Sequence, residues 1–284
     1  MSKRGARKEK LQSNYIKKGR GQGAGENYQP FIQAHDNKIA SEGWLTRHKG
    51  WKTRRIHHTL SEHERKYLYY CEWLNGVTDI REQWPLLPLE RTMEIAEELG
   101  IKHPHLDGTP VVMTTDFRLT LETRNGSRDV IRTVKPREKL SDRTLELFEI
   151  ERVYFAEQGI DWCIITEDKI PINLVKNVEW MANAKYLENQ PGVNGELVEL
   201  VSEGLYDVFM KDAGQTPLIN LCLRTDNAYH LEKGTCMFVL QYMLANKFWG
   251  TEMSKRIIRE REPLIIYEIQ PVQKSIHLVK RGGA

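Results

Sequence analysis

The 284-residue sequence predicts a mixed α/β core, residues 1–168, followed by a mostly helical region, residues 169–284. Three observations predict it. Residues 111–136 (VVMTTDFRLTLETRNGSRDVIRTVKP) hold two runs rich in β-branched residues around Asn125-Gly126, the strongest short signal for a β-hairpin. Helical patterning flanks that hairpin on both sides, and a nearly continuous apolar strand, IDWCIIT, follows the second helix. Beyond Glu167 the strand signals give way to four helical stretches.

In chain order, residues 1–30 are basic and glycine-rich, with Gly19, Gly21, Gly23 and Gly25 close together. No strand precedes these glycines and no Gly-Lys-Ser or Gly-Lys-Thr follows, which argues against a nucleotide loop. The segment is expected to be a flexible arm that orders on DNA. WLTRHKGWKTRRIHH, from Trp44 to His58, mixes basic and aromatic residues in a way suited to a nucleic-acid backbone. Its adjacent His57 and His58 lack the i, i+4 spacing of metal ligands on a helix.

Ser61 with Glu64 three residues on is a capping-box signature and starts a helix. Glu64 has an ordinary use there, but Glu64, Leu68 and Cys71 also follow i, i+4, i+7 spacing, so Glu64 heads the stripe that faces the core. Val77–Glu82 reads as a short strand ended by the Pro85 and Pro88 cluster, and Arg91–Leu99 as a short helix closed by Gly100. If Asn125 and Gly126 are the whole hairpin turn, opposed residue numbers add to 251 and Asp116 faces Lys135. A helix from about Ser141 to Gln158, closed by Gly159, precedes the apolar strand. Residues 172–188, 196–211, 216–230 and 232–248 are then patterned as helices. LIIYEIQ and SIHLVK alternate as two short strands, so the C-terminal region is expected to be winged-helix-like. GTCMFVLQYMLANKFW is apolar nearly all round, as a buried packing helix is.

Composition narrows the function classes. No apolar run approaches the roughly 18 residues that span a bilayer, and the N-terminus lacks the apolar stretch of a signal peptide, so a cytoplasmic protein with no membrane partner is expected. Cys71, Cys163, Cys222 and Cys236 form no C-x-x-C pair and read as reduced core thiols, neither a zinc site nor a disulfide framework. The net charge of +3 is uneven: residues 1–58 hold 14 Lys or Arg against four acidic residues. A basic arm on a mildly acidic body suggests a polyanionic partner. The candidate DNA contacts are Lys17, Lys18 and Arg20 in the arm, and Lys49, Lys52, Arg54 and Arg55 beyond it. Lys255, Arg256, Arg259 and Arg261 form a second basic cluster, of a kind that is usually a solvated face.

The chemistry concentrates on Glu64, Asp116 and Lys135. Taken alone, an opposed Asp116 and Lys135 make a cross-strand salt bridge of about 0.2–1 kcal/mol. A carboxylate on the core-facing stripe changes the balance, because burying an unpaired charge costs several kcal/mol and Glu64 needs a partner. Two carboxylates supply hard oxygen ligands for Mg²⁺, with Mn²⁺ as a substitute. Such an ion polarises a phosphate, activates water and offsets developing charge, while Lys135 orients or deprotonates the attacking water. An acid, acid, lysine set on an α/β core is the arrangement of restriction-endonuclease-like nucleases.

The segments GRGQG, HHTLSEHE, VTDIREQWPLLP, IKHP, TTDF, TVKP and DRTLELFEIER resemble the TnsA family, the endonuclease subunits of heteromeric transposases. The resemblance runs along residues 14–180. It implies a restriction-endonuclease-like domain followed by a winged-helix-like domain, and an enzyme that nicks the 5′ ends of a transposon. A TnsB-type transposase handles the 3′ ends, and a TnsC-type ATPase couples excision to target choice. Carried across, the family's catalytic residues fall on Glu64, Asp116 and Lys135, with Glu64 and Asp116 as metal ligands. Thr133 stands where such nucleases usually carry Gln or Glu, and a hydroxyl is a poorer ligand than an amide or carboxylate oxygen. The resemblance also implies the backbone carbonyl of Val134 as a ligand. Two other classes use the same residues differently: a stand-alone restriction or repair nuclease, and a non-catalytic module that bridges DNA and protein partners.

Overall fold

The computed structural model describes residues 3–34, 36 and 46–269. The chain divides into two compact units, Met1–Ile170 and Pro171–Ala284.

The first unit opens with a helix, α1 (Lys3–Lys17), where the sequence suggested only a flexible arm. Gln12 anchors it: its side-chain carbonyl accepts the Val112 N–H at 2.7 Å and its amide reaches the Pro110 carbonyl at 3.3 Å. Two short strands follow, β1 (Thr46–Lys49) and β2 (Ile56–Thr59), paired antiparallel. Helix α2 (Glu62–Trp73) starts at Ser61, whose hydroxyl accepts the Glu64 N–H at 3.1 Å. Strand β3 (Val77–Pro85) runs three residues beyond the expected end at Glu82. Pro85 is tolerated there because β3 is an edge strand. Helix α3 (Leu89–Glu98) ends before Gly100, whose φ is +67°. A small ribbon of β4 (His105–Leu106) and β5 (Thr109–Pro110) leads into the hairpin, β6 (Thr114–Thr123) and β7 (Gly126–Val134). Helix α4 (Asp142–Ala156) and strand β8 (Asp161–Ile165) complete the unit.

The central sheet has the order β3-β6-β7-β8, antiparallel except for the parallel β7–β8 pair. A parallel neighbour requires a crossover, and α4 is that crossover. Helices cover both faces. Tyr67 of α2 meets Phe117 edge-on at 5.5 Å on one face; on the other, Ile150, Tyr154 and Phe155 of α4 pack with Ile131, Ile95 and Leu86.

The hairpin register differs from the expected one. Thr123 pairs with Gly126 and Glu122 with Ser127, so opposed numbers add to 249. A two-residue turn centred on Asn125-Gly126 needs positive φ at both residues. Only Gly126 has it, at +103°; the Thr123–Gly126 pair places the turn at Arg124-Asn125, neither of which has positive φ, as in a type I turn followed by a left-handed glycine. Asp116 is therefore not opposite Lys135; the register sets it opposite Thr133. A shift of two preserves the side-chain alternation, which leaves Lys135 on a diagonal from Asp116.

The second unit contains α5 (Ile172–Trp180), α6 (Gly195–Asp212), α7 (Leu218–Ala228) and α8 (Thr235–Ala245). The first is shorter than expected and continues as 3-10 turns at Ala182–Lys185 and Leu187–Asn189. Helix α8 is buried along most of its length, as its all-round apolarity requires. Asp226 caps it, accepting N–H bonds from Gly234 (2.8 Å) and Cys236 (2.7 Å). Strands β9 (Trp249–Gly250) and β10 (Tyr267–Glu268) pair antiparallel. The second expected strand, SIHLVK, lies outside the described residues. Cys71, Cys222 and Cys236 are buried free thiols, but Cys163, expected in the core, is exposed because β8 is the other edge of the sheet. No helix among the described residues is long and apolar enough to cross a membrane.

Candidate active site

Glu64 reaches its position through the cap of α2. Its backbone N–H bonds to Ser61, and its Oε2 turns back to accept the Leu60 N–H at 2.9 Å, one residue before the expected partner Ser61. The side chain is only 6% exposed. Asp116 lies just past the last ladder pair of the hairpin, Phe117 with Arg132, where the strands begin to separate. Its Oδ2 accepts the Val134 N–H at 2.7 Å, so the carboxylate substitutes for a missing main-chain partner.

The two carboxylates interact. Burial, and then the Asp116 charge, raise the proton affinity of Glu64. Burial likewise raises that of Asp116, against the opposing pull of the Val134 N–H and the Lys135 charge. Lys135 is half-buried, acts on Asp116 electrostatically and makes no salt bridge among the described residues. The bland alternative of a cross-strand ion pair is therefore not what forms here.

Two residues of the site escaped sequence reasoning. Gln83 is buried between the carboxylates, its Nε2 3.3 Å from Glu64 Oε2. Glu151 of α4 is 3% exposed, and burial pushes its carboxyl up to about 7. Its Oε1 accepts hydrogen bonds from Thr133 Oγ1 (2.6 Å) and Trp162 Nε1 (3.0 Å), and the Asp116 charge acts on it. The only signal for Glu151 was a carboxylate three residues from Phe148 and Tyr154 on an otherwise apolar face; for Gln83 there was none, since it lay beyond the expected end of its strand.

Thr133 is 4% exposed, and its hydroxyl is engaged by Glu151 and by Thr115 Oγ1 at 3.1 Å. Val134 pairs with Ile165 and presents its N–H to Asp116.

The donor chemistry fits a hard divalent cation. Glu64 and Asp116 are neighbouring carboxylates whose proton affinity is raised chiefly by burial, a cost that a bound cation would offset. No cage of three or more His, Cys, Asp or Glu side chains forms among the described residues. Mg²⁺ does not need one, because it takes one or two carboxylates and fills the rest of its shell with water and substrate phosphate.

The expected DNA contacts separate into two groups. Lys17, Lys18, Lys49 and Arg54 are exposed, as is Arg47. Arg20, Lys52 and Arg55 are committed internally, contrary to expectation. Arg20 is buried against Asp36 (Nη2–Oδ1 2.9 Å) and over the Tyr15 ring at 4.0 Å. Lys52 Nζ donates to the Leu74 carbonyl at 2.7 Å. Arg55 Nη1 donates to Glu82 Oε1 at 2.7 Å; Glu82 is fully buried and also holds the His58 N–H (2.9 Å) and His57 Nδ1 (2.7 Å). A buried carboxylate requires such partners, and they are drawn from the basic run. The second cluster is also engaged, Lys255 with Glu252 at 3.0 Å and Arg259 with Glu262 at 3.2 Å.

Comparison with known proteins agrees with the family resemblance read from the sequence. The chain matches the family models described as TnsA-like endonuclease N terminal, over residues 75–167, and TnsA endonuclease C terminal, over residues 169–253. It is 38% identical over 234 residues to the transposon Tn7 transposition protein TnsA of Escherichia coli, an alignment that covers 82% of each chain.

Proposed function

Because the chain belongs to the TnsA family of transposition endonucleases, we propose that it cleaves one strand at each 5′ end of a transposon by Mg²⁺-dependent hydrolysis. The products are a 3′-hydroxyl and a 5′-phosphate, and Mn²⁺ substitutes for Mg²⁺. It acts with a TnsB-type transposase and a TnsC-type ATPase. The observation that carries this reading is the meeting of Glu64 and Asp116 in one buried, hydrogen-bonded cluster with Lys135 beside it.

Glu64 and Asp116 would hold the cation, with the Val134 carbonyl as a further oxygen donor. When bound, the ion supplies Lewis-acid activation of the scissile phosphate and lowers the pKa of water. Asp116 is oriented for this by the Val134 N–H, and Glu64 by the Leu60 N–H. Lys135, half-buried and without a salt-bridge partner among the described residues, orients the attacking water and offsets charge on the pentavalent phosphate. Thr133, held by Glu151, supports the site and is a weaker candidate ligand. Lys17, Lys18, Lys49 and Arg54, with Arg47, supply exposed charge for the DNA backbone. The acid, acid, lysine set on a mixed sheet supports a restriction-endonuclease-like reading of the first unit. Helices α6–α8 with the short β9–β10 pair support a winged-helix-like reading of the second.

A strand-specific cleavage assay on DNA carrying transposon ends, with both partner proteins present, tests the proposal. Asp116→Ala and Lys135→Ala should each abolish 5′ cutting while 3′ breakage persists. Normal 5′ cutting by either variant refutes the assignment.

A further inference from the structure

Gln83 combines three features that ordinary strand residues lack. Its φ is +51°, in the left-handed region that bulky residues rarely adopt, within strand β3. Its side chain is 3% exposed. Its ladder pairing is also interrupted: Glu82 pairs with Phe117 and Trp84 with Thr115, but Gln83 and Asp116, which the register sets face to face, form no main-chain pair.

The side chain replaces that missing pair. Nε2 donates to Glu64 Oε2 at 3.3 Å, the amide also hydrogen-bonds Asp116, and Oε1 accepts from Thr114 Oγ1 at 3.4 Å. A primary amide has two donors and no charge. It can therefore bridge two carboxylates without neutralising either one, which a lysine or arginine would do.

The backbone is held from outside the sheet. The Gln83 carbonyl accepts the Phe31 N–H at 3.2 Å, and the neighbouring Glu82 carbonyl accepts Tyr28 Oη at 2.9 Å. Phe31 is fixed in turn: Arg20 Nη1 donates to its carbonyl at 3.2 Å, and its ring packs with Tyr15 and Val112. Strained backbone persists where the surroundings over-determine it, and such residues cluster at active sites.

We infer that Gln83 is a positioning residue, which the segment around Tyr28–Phe31 locks in a left-handed conformation so that its amide sets the spacing of the Glu64 and Asp116 carboxylates. The inference rests on the nuclease reading above. Gln83 does not touch the reacting atoms in this role; it acts through the two carboxylates.

The test uses the full chain and two variants. Gln83→Gly removes the amide while suiting the positive φ, so the left-handed backbone at this position is kept without strain. Gln83→Met keeps the side-chain length and removes both donors. Calorimetric titration with Mg²⁺ alone, and with Mn²⁺ alone, should show affinity weakened about 10–100-fold in both variants, the usual effect of losing a group that orients ligands. In the cleavage assay with partners, kcat should fall while KM for DNA stays constant. Wild-type metal affinity and kcat in either variant, with Asp116→Ala inactive, overturns the role of Gln83 alone. Wild-type cutting by Asp116→Ala overturns the nuclease reading, and this inference with it.

Discussion

Glu151→Gln is expected to stabilise the protein at alkaline pH and to leave it unchanged in acid. Burial lifts the Glu151 carboxyl from its ordinary value of 4.5 to about 7. Below pH 4.5 the group is protonated in the folded and unfolded states alike and costs nothing. Between 4.5 and 7 the unfolded chain releases the proton first, so the unfolded state binds fewer protons and stability falls as pH rises. Above 7 the full cost applies, about 3 kcal/mol at 1.36 kcal/mol per pH unit. Glutamine keeps the size of the side chain and an Oε1 that accepts from Thr133 and Trp162, but it never ionises. The gain should therefore be nil at pH 4.5 and approach about 3 kcal/mol at pH 8, worth roughly 6–12 °C in Tm for a unit of this size. Urea unfolding and calorimetry at pH 4.5, 6 and 8, without divalent cations, measure it. An equal gain at all three pH values, or none at pH 8, would show that the buried charge is not what destabilises this cluster.

The Arg55–Glu82 pair should respond in the opposite way to mutation. Arg55→Ala leaves a buried carboxylate short of its partner and should cost about 3–5 kcal/mol in urea unfolding, whereas the exposed neighbour Arg54→Ala should change stability by less than about 0.5 kcal/mol. Burial tends to raise the Glu82 carboxyl, but the His57 and Arg55 charges overcome it and hold the group well below the usual carboxylate range. Its contribution is thus complete above pH 4.5 and lost as pH falls, so Glu82→Gln and wild-type stabilities should converge in acid and separate above it, as pH-dependent unfolding will show. Gly126→Ala, which forces a Cβ onto a φ of +103°, should cost about 1–2 kcal/mol in thermal melts while leaving the Glu64–Asp116 cluster intact.

Local signals in the sequence carried much of the first unit. Ser61 and Ser141 mark helix starts, Gly100 and Gly159 mark ends, and Asn125-Gly126 marks the hairpin. The register was two residues off because Asn125 does not take the positive φ that its pairing with Gly126 suggested, and only the folded backbone decides that. Glu64, Asp116 and Lys135 still converge, since a shift of two keeps Asp116 and Lys135 in the same alternation. What was illegible depends on contacts distant in sequence. Arg20 looks like a DNA contact until Asp36 and Tyr15 fold around it, and Arg55 until Glu82 does. Gln83 lies past the point where proline appeared to end its strand, and Glu151 reaches the cluster only because α4 crosses over to set β8 beside β7.

Strand β3 is an edge of the central sheet, and the glycine-rich segment lies along it. The carbonyls of Ile80, Glu82 and Gln83 are taken by Arg55, Tyr28 and Phe31, and the Asp79 carboxylate accepts the Gly25 N–H at 3.2 Å. Gly21 packs so closely on Pro85 that a Cβ would come within 2.3 Å of its ring. An open edge of this kind is a template for strands from other molecules, and proteins cover such edges to stay apart. Here the cover is made of residues whose composition resembles a solvated tail. A chain shortened to begin at residue 46 would keep Arg55 on Ile80 but bare the Glu82 and Gln83 carbonyls and the Asp79 carboxylate, and its self-association should rise steeply with concentration in light scattering, even though every residue of the carboxylate cluster remains.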